Sequence, residues 1–223
     1  KNHMPKKMKN SNTDKNKILE DFINYSLKKD FFPKSVYMFC KDNDIEEKTF
    51  YKYFGSLEIV KKKIWSAFYE NVMALIQKEK NFELSTPKEK LLTFYFTFFE
   101  VLQNNRSYIL FSLNYHKKIT SKMSQLSFLK NKFTVFASDL VNDGNLNKPV
   151  YLKHSPKLFS QAAWVQLLFL INFWIDDTSP EFEKTDLAIE KSVRTAFDVF
   201  DNTPLESIID FGKFLWKEKI STT

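Results

Sequence analysis

TFYKYFGSLEIVKKKIW, residues 49–65, is the stretch on which the reading of this chain turns. It packs a short aromatic-rich helix, a break at Gly55 and a fresh amphipathic helix into very little sequence. Ser56 is a good N-cap, and Glu58 suits the positive end of the helix dipole. The helix that follows is predicted to run to about residue 80, burying Val60, Ile64, Phe68, Val72 and Leu75 or Ile76 at three-to-four spacing. Phe50 and Phe54 point to a core on the other side of the break.

Working back toward the N-terminus, residues 1–12 read as a disordered polar tail. A first helix is predicted over 14–29, with Ile18, Leu19, Phe22, Ile23, Ser26 and Leu27 on one face. Pro33 stops it. A second short helix covers 35–41, Asp42-Asn43-Asp44 forms a turn, and a third helix covers 46–53. Two short helices joined by a tight turn, then a longer one, form a helix-turn-helix unit.

Working forward, Thr86-Pro87-Lys88-Glu89 and Thr203-Pro204-Leu205-Glu206 are capping boxes with proline at the first helical position. Helices are expected near 87–104, 106–115, 119–141, 156–175, 180–200 and 204–218, with an irregular linker over 142–154 that contains Gly144 and Pro149. No window alternates with period two, so the fold class is all-α. The expected division is a tail over 1–12, a helix-turn-helix domain over 13–55 and a helical body over 56–223.

Composition narrows the function. Of 223 residues 17% are aromatic, including 24 Phe, which is ample for a core; only three are glycine, which disfavours strand-rich folds and phosphate-cradling loops. The single cysteine, Cys40, excludes an internal disulfide and, with a polar basic N-terminus, leads us to expect a cytoplasmic protein. The apolar window 91–102 is too short to span a bilayer, and the one at 158–175 is interrupted by Ser160, Gln161, Gln166 and Asn172, so no membrane association is expected. The net charge of +7 is uneven: residues 1–80 hold 17 Lys against 11 Asp or Glu, an excess that suits a polyanionic partner.

A reading head needs a recognition helix in the major groove and phosphate clamps at its edges. The clamps expected here are Ser35, Tyr51, Lys52 and Tyr53; Lys48 and Thr49 face the base edges; Lys61, with Lys62 and Lys63, adds backbone contacts. Residues 34–58 read K-S-V-Y-M-F-C-K-D-N-D-I-E-E-K-T-F-Y-K-Y-F-G-S-L-E. This resembles, in register and without a gap, the TetR-family head pattern T-S-V-x-x-I-A-x-x-A-G-V-S-x-G-T-L-Y-x-Y-F-x-S-K-E. Ser35, Val36, Thr49, Tyr51, Tyr53, Phe54, Ser56 and Glu58 match. The pattern's turn glycine is Asp44 here, its capping serine is Glu46, its close-approach glycine is Lys48 and its clamp lysine is Leu57.

The resemblance implies a TetR-like regulator. Its head would bind a palindromic operator in double-stranded DNA, and its body would bind an effector and pair with a second copy. It implies that the last body helices form a four-helix bundle in a homodimer. On that basis Trp164, Leu168, Ile171, Ile175, Ile189, Val193, Phe197 and Phe200 are the expected dimer contacts. Phe94, Phe98, Phe111, Tyr115, Phe133 and Phe169, with His116 and Gln166 as polar groups, are the expected lining of a pocket for an apolar small molecule. Binding there would change the separation of the two heads and release DNA. The alternative is a lipid- or quinone-binding accessory protein of the same fold with a vestigial helix-turn-helix, which the acidic Glu46 and Glu47 favour. No nucleophile elbow, P-loop or metal-ligand spacing is present, so neither an enzyme, a cofactor nor a metal is expected.

Overall fold

A computed structural model describes residues 11–115, 119–146 and 153–202 of the chain. Its regular structure is entirely helical: α1 (Ser11–Lys29), α2 (Val36–Asp42), α3 (Glu47–Tyr53), α4 (Leu57–Ile76), α5 (Pro87–Gln103), α6 (Arg106–Tyr115), α7 (Ile119–Gln125), α8 (Ser127–Asn145), α9 (Pro156–Asp176) and α10 (Glu183–Asn202). A 3₁₀ turn, Pro180–Phe182, precedes α10. The all-α class is as expected. The second capping box and the helix expected over 204–218 lie outside the described residues, as does most of the expected tail; Ser11 and Asn12 belong to α1.

The chain forms two compact units. One comprises the residues up to Leu75 together with Thr97–Phe133; the other comprises Ile76–Phe96 and the residues from Thr134 onward. Helices α5 and α8 therefore contribute to both.

In the first unit a relay of aromatic rings holds α1, α2 and α3 together. Phe22 lies 5.7 Å from both Phe32 and Phe39, Phe39 lies 6.1 Å from Phe50, and Phe50 lies 5.8 Å from Phe54. All five rings are buried. Such contacts contribute about 0.5–1.5 kcal/mol each beyond the area they bury. Of the expected α1 face, Leu27 is exposed and Tyr25 takes its place inside, 5.9 Å from Phe39.

The turn between α2 and α3 is closed by Asn43 Nδ2, which donates to Phe39 O at 2.7 Å, and by Ile45 N, which donates to Cys40 O at 2.9 Å. Asp44 sits at φ 53, in the left-handed region where a side chain costs energy and glycine does not. Asp44→Gly is accordingly expected to raise stability by about 0.5–1 kcal/mol. Paired thermal melts check this, and an unchanged midpoint would mean the aspartate carries no strain. Gly55, by contrast, has no positive φ, and a Cβ there would meet nothing within 4 Å. The break comes from Phe54, whose extended backbone (φ −137, ψ 127) lets its ring enter the core, and from Ser56 Oγ, which accepts from Ile59 N.

Three expected boundaries shift. Helix α4 stops at Ile76 rather than residue 80, because Gln77–Lys80 offers nothing to bury and the chain turns to bring Phe82 inside. The helix expected over 119–141 breaks at Leu126, where buried Gln125 accepts from Ser112 Oγ at 2.6 Å and Leu126 is itself buried. Helix α8 then continues through Gly144 to Asn145, where a linker was expected. Gly144 lacks the Cβ that would sit 3.4 Å from Pro87 Cγ, and Asn145 closes the helix by exchanging two hydrogen bonds with the His154 backbone.

In the second unit the Thr86–Glu89 capping box forms as the sequence predicts, with Thr86 N donating to Glu89 Oε2 and Glu89 N to Thr86 Oγ1. Tyr95 Oη donates to Ala163 O at 3.2 Å and Gln166 Nε2 to Ser192 Oγ at 3.0 Å, tying α5, α9 and α10 together. Between α9 and α10 the backbone turns left-handed at Glu181 and Phe182, and the Asp177 carboxylate fastens it. That carboxylate accepts from the backbone N and hydroxyl of both Ser179 and Thr185, at 2.6–2.9 Å. Burial pushes the Asp177 carboxyl up, but these bonds outweigh it and bring it down to about 2.

The sign of its pH dependence follows. The folded value lies below the unfolded one of about 3.9, so the contribution is full above that value and is lost as pH falls through about 2. Asp177→Asn is expected to cost about 1–2 kcal/mol at neutral pH and progressively less below pH 4. Urea melts at both pH values check this; a deficit that persists undiminished at pH 2 would show that the carboxylate charge is not what holds the turn.

Candidate nucleic-acid interface

Helix α3 is seven residues long and two-faced. Phe50 faces inward and Thr49 is half-buried; Glu47, Lys48, Tyr51 and Lys52 are exposed. Their spacing, i, i+1, i+4 and i+5, puts them on one strip. Tyr51 is 53% exposed, its ring held edge-on at 5.5 Å by Phe50, and the Lys52 ammonium lies 5.2 Å above the Tyr53 ring. At the start of α2, Ser35 Oγ caps the helix by accepting from Met38 N at 3.2 Å. Tyr37 and Met38, on the side of α2 away from buried Phe39 and Cys40, are exposed beside it.

The structure therefore brings Ser35, Lys48, Tyr51 and Lys52 to the surface of α2 and α3, with Thr49 at the edge of the strip. Two expected contacts are placed elsewhere. The Tyr53 hydroxyl is buried with no hydrogen-bond partner among the described residues, so it is not offered to a phosphate. Lys61 is only 5% exposed: its ammonium pairs with Glu58 at 2.6 Å and lies 4.1 Å over the Phe32 ring. Desolvated and paired, Lys61 is a core residue rather than a phosphate clamp. Lys62 and Lys63 are half-buried, their ammonium groups 5.9 and 5.1 Å from the Phe128 ring.

Charge along this surface is balanced. Between residues 34 and 53, Lys34, Lys41, Lys48 and Lys52 are matched by Asp42, Asp44, Glu46 and Glu47. Attraction of a polyanion over distance is weak with such a balance, and close contacts must supply the discrimination. Sequence reasoning noted Glu47 only as an acidic departure and passed over Tyr37 and Met38. The signal that finds them is subtraction: once Phe39, Cys40 and Phe50 are inside, the residues between them must face out.

Two concavities of the body lie among the described residues of the second unit. One, of about 270 Å³, is lined mainly by Pro87, Leu140, Val141, His154, Phe159 and Phe197. The other is an apolar groove of about 640 Å³ along α9 and α10, lined by Ala162, Val165, Gln166, Phe169, Ala188, Thr195 and Val199 among others. Of the expected effector contacts, Gln166 and Phe169 line this groove. Phe94, Phe98 and Phe133 are fully buried and line neither concavity; Phe111 and Tyr115 pack on Phe32 at 4.9 and 4.7 Å. His116 lies outside the described residues.

The expected dimer contacts also turn out to face inward. Trp164, Ile171, Ile189 and Val193 are buried within this one chain; Leu168, Ile175 and Phe197 are half-buried, with Phe197 against Phe159 at 5.5 Å. The Phe200 side chain lies outside the described residues. The apolar side chains left exposed are the neighbouring ones, Val165 (64%), Phe169 (56%), Leu187 and Val199. Helix α9 is long and apolar enough to cross a bilayer, yet almost half of its apolar window is buried in the chain, against α10 among others. Among the described residues no cluster of three or more His, Cys, Asp or Glu side chains is placed to hold a metal ion.

Residues 90–215 match the family model for the tetracyclin repressor-like C-terminal domain. The fold is similar to that of a protein from Syntrophomonas wolfei assigned to the TetR-family transcriptional regulators, with a TM-score of 0.61 at 16% identity over 83% of this chain and 95% of that one. A transcriptional regulator from Aquifex aeolicus aligns with a TM-score of 0.47 at 20% identity, over 82% of this chain and 98% of that one. No curated protein matches the sequence significantly.

Proposed function

Since the chain belongs to the TetR family of transcriptional regulators, we propose that it is a homodimeric repressor that binds a palindromic operator and releases it when an apolar small molecule occupies its body. Residues 13–55 are the proposed reading domain and 56–223 the proposed effector and dimerisation domain. The observation that carries the reading is the outward strip of α3: two lysines and a tyrosine project beside Ser35, while the aromatic rings behind them are fixed in a core. Tyr51, Lys52 and Ser35 contact phosphates, and Lys48 and Thr49 reach base edges. Lys61 is left out of this set.

The apolar groove along α9 and α10 supports pairing with a second copy, because a soluble chain gains by covering a continuous apolar face. The contacts proposed are Val165, Phe169, Ala188, Thr195 and Val199. The smaller concavity, mostly apolar with His154 and Asn145 in its lining, is the proposed effector site.

Selection from a random duplex library, followed by anisotropy on the winner at several salt concentrations, tests the function. A palindromic winner bound far more tightly than scrambled DNA is the expected result. Weak binding that ignores sequence would overturn it.

A further inference from the structure

We propose that Glu47 is a specificity-determining residue that reads a cytosine in each operator half-site, with Lys48 beside it on a guanine. This rests on the DNA-binding reading above and deepens it. Glu47 occupies the first turn of α3, on the same exposed strip as Lys48, Tyr51 and Lys52. Among the described residues no cation pairs with it. An uncompensated carboxylate on a surface that must approach phosphates weakens binding to every sequence unless it meets a donor in the groove.

The major groove offers few such donors. Guanine shows only acceptors there, N7 and O6, and thymine shows O4 and a methyl group; both repel a carboxylate. Adenine shows an amino donor flanked by the N7 acceptor. Cytosine shows its N4 amino group with no acceptor beside it, so it is the base edge that suits Glu47. The same pair presents O6 and N7 of its guanine, which suit the ammonium of Lys48, one residue further round the strip. Adjacent acid and base on α3 thus match the donor and acceptors of one C·G pair or of two neighbouring ones.

A helix-stabilising role for Glu47 at the positive end of α3 would change melting behaviour but not base preference. The test is therefore parallel selection from a random duplex library with the full-length wild type and Glu47→Gln. The wild type is expected to enrich cytosine at one position per half-site by roughly tenfold over the other bases. In Glu47→Gln that one column is expected to move to adenine, whose N6 and N7 suit an amide, or to flatten, with the remaining columns unchanged. A wild-type motif that persists unaltered in the variant overturns the proposal and leaves the regulator reading intact. A wild type that enriches no sequence overturns both.

Discussion

Phe169→Lys is expected to split the proposed homodimer, raising its dissociation constant by at least about a hundredfold, and to lower operator affinity in step. Phe169 is 56% exposed at the apolar groove of α9 and α10, with Phe173 6.2 Å away and Val165 one turn before it. Around a two-fold axis each side chain is used twice. The variant therefore removes two large apolar contacts, each worth about 1.5–3 kcal/mol when fully buried. It also puts two ammonium groups where the proposed pairing excludes water, and among the described residues no acidic side chain lines the groove. The isolated fold bears none of this, since the ring is already half in solvent.

Loss of the dimer carries over to DNA. A palindrome is held by two heads, and the second half-site is bound at the high effective concentration that tethering provides. A monomer keeps only one half-site. Sedimentation of wild type and variant, with Val135→Lys as a control, is the measurement. Val135 is an exposed apolar residue on α8 outside the groove, and its variant should remain dimeric. A Phe169→Lys protein that sediments as a dimer and binds operator normally would remove the groove from the interface.

What the sequence made legible was what rests on local chemistry. The aromatic spacing of Phe39, Phe50 and Phe54, the Thr86–Glu89 box and the Asp42–Asp44 turn all encode their structure within a few residues, and all form. The resemblance of residues 34–58 to the TetR head and the match of residues 90–215 to the TetR-like C-terminal domain come from opposite ends of the chain and agree.

What was not legible depends on which side of a helix faces in. Helix α9 is apolar on almost every side, so three-to-four spacing holds for several stripes at once and cannot select one; the stripe with Trp164 and Ile171 goes inside, and that with Val165 and Phe169 stays out. Lys61 in a run of three lysines looks solvated, yet its ammonium pairs with Glu58 and lies over the ring of Phe32, far back in the chain. Gly144 carries the signature of a linker, yet it serves a close approach of α8 to Pro87 that no local pattern announces. Long-range packing decided each of these.

The outward strip of α3 is where local pattern and packing coincide, and its removal has the other large expected effect. Tyr51→Ala combined with Lys52→Ala is expected to weaken operator binding by about thirty- to a hundredfold, leaving the dimer and the melting temperature close to wild type. Both side chains are exposed, and neither caps a helix or fills the core, so folding loses little. The Tyr51 ring stands edge-on to Phe50, which fixes it without burying it, so its hydroxyl is presented at a defined place rather than swept through solvent. Lys52 is tethered over Tyr53 in the same way. In a homodimer two lysines are lost, so the slope of log affinity against log salt should become shallower by roughly two. Tyr51→Phe alone separates the contributions: loss of the hydroxyl should cost a few-fold in affinity and leave the salt slope untouched, because no charge has gone. An affinity and slope both unchanged in the double variant would mean that α3 does not lie against DNA, whatever its resemblance to a reading helix.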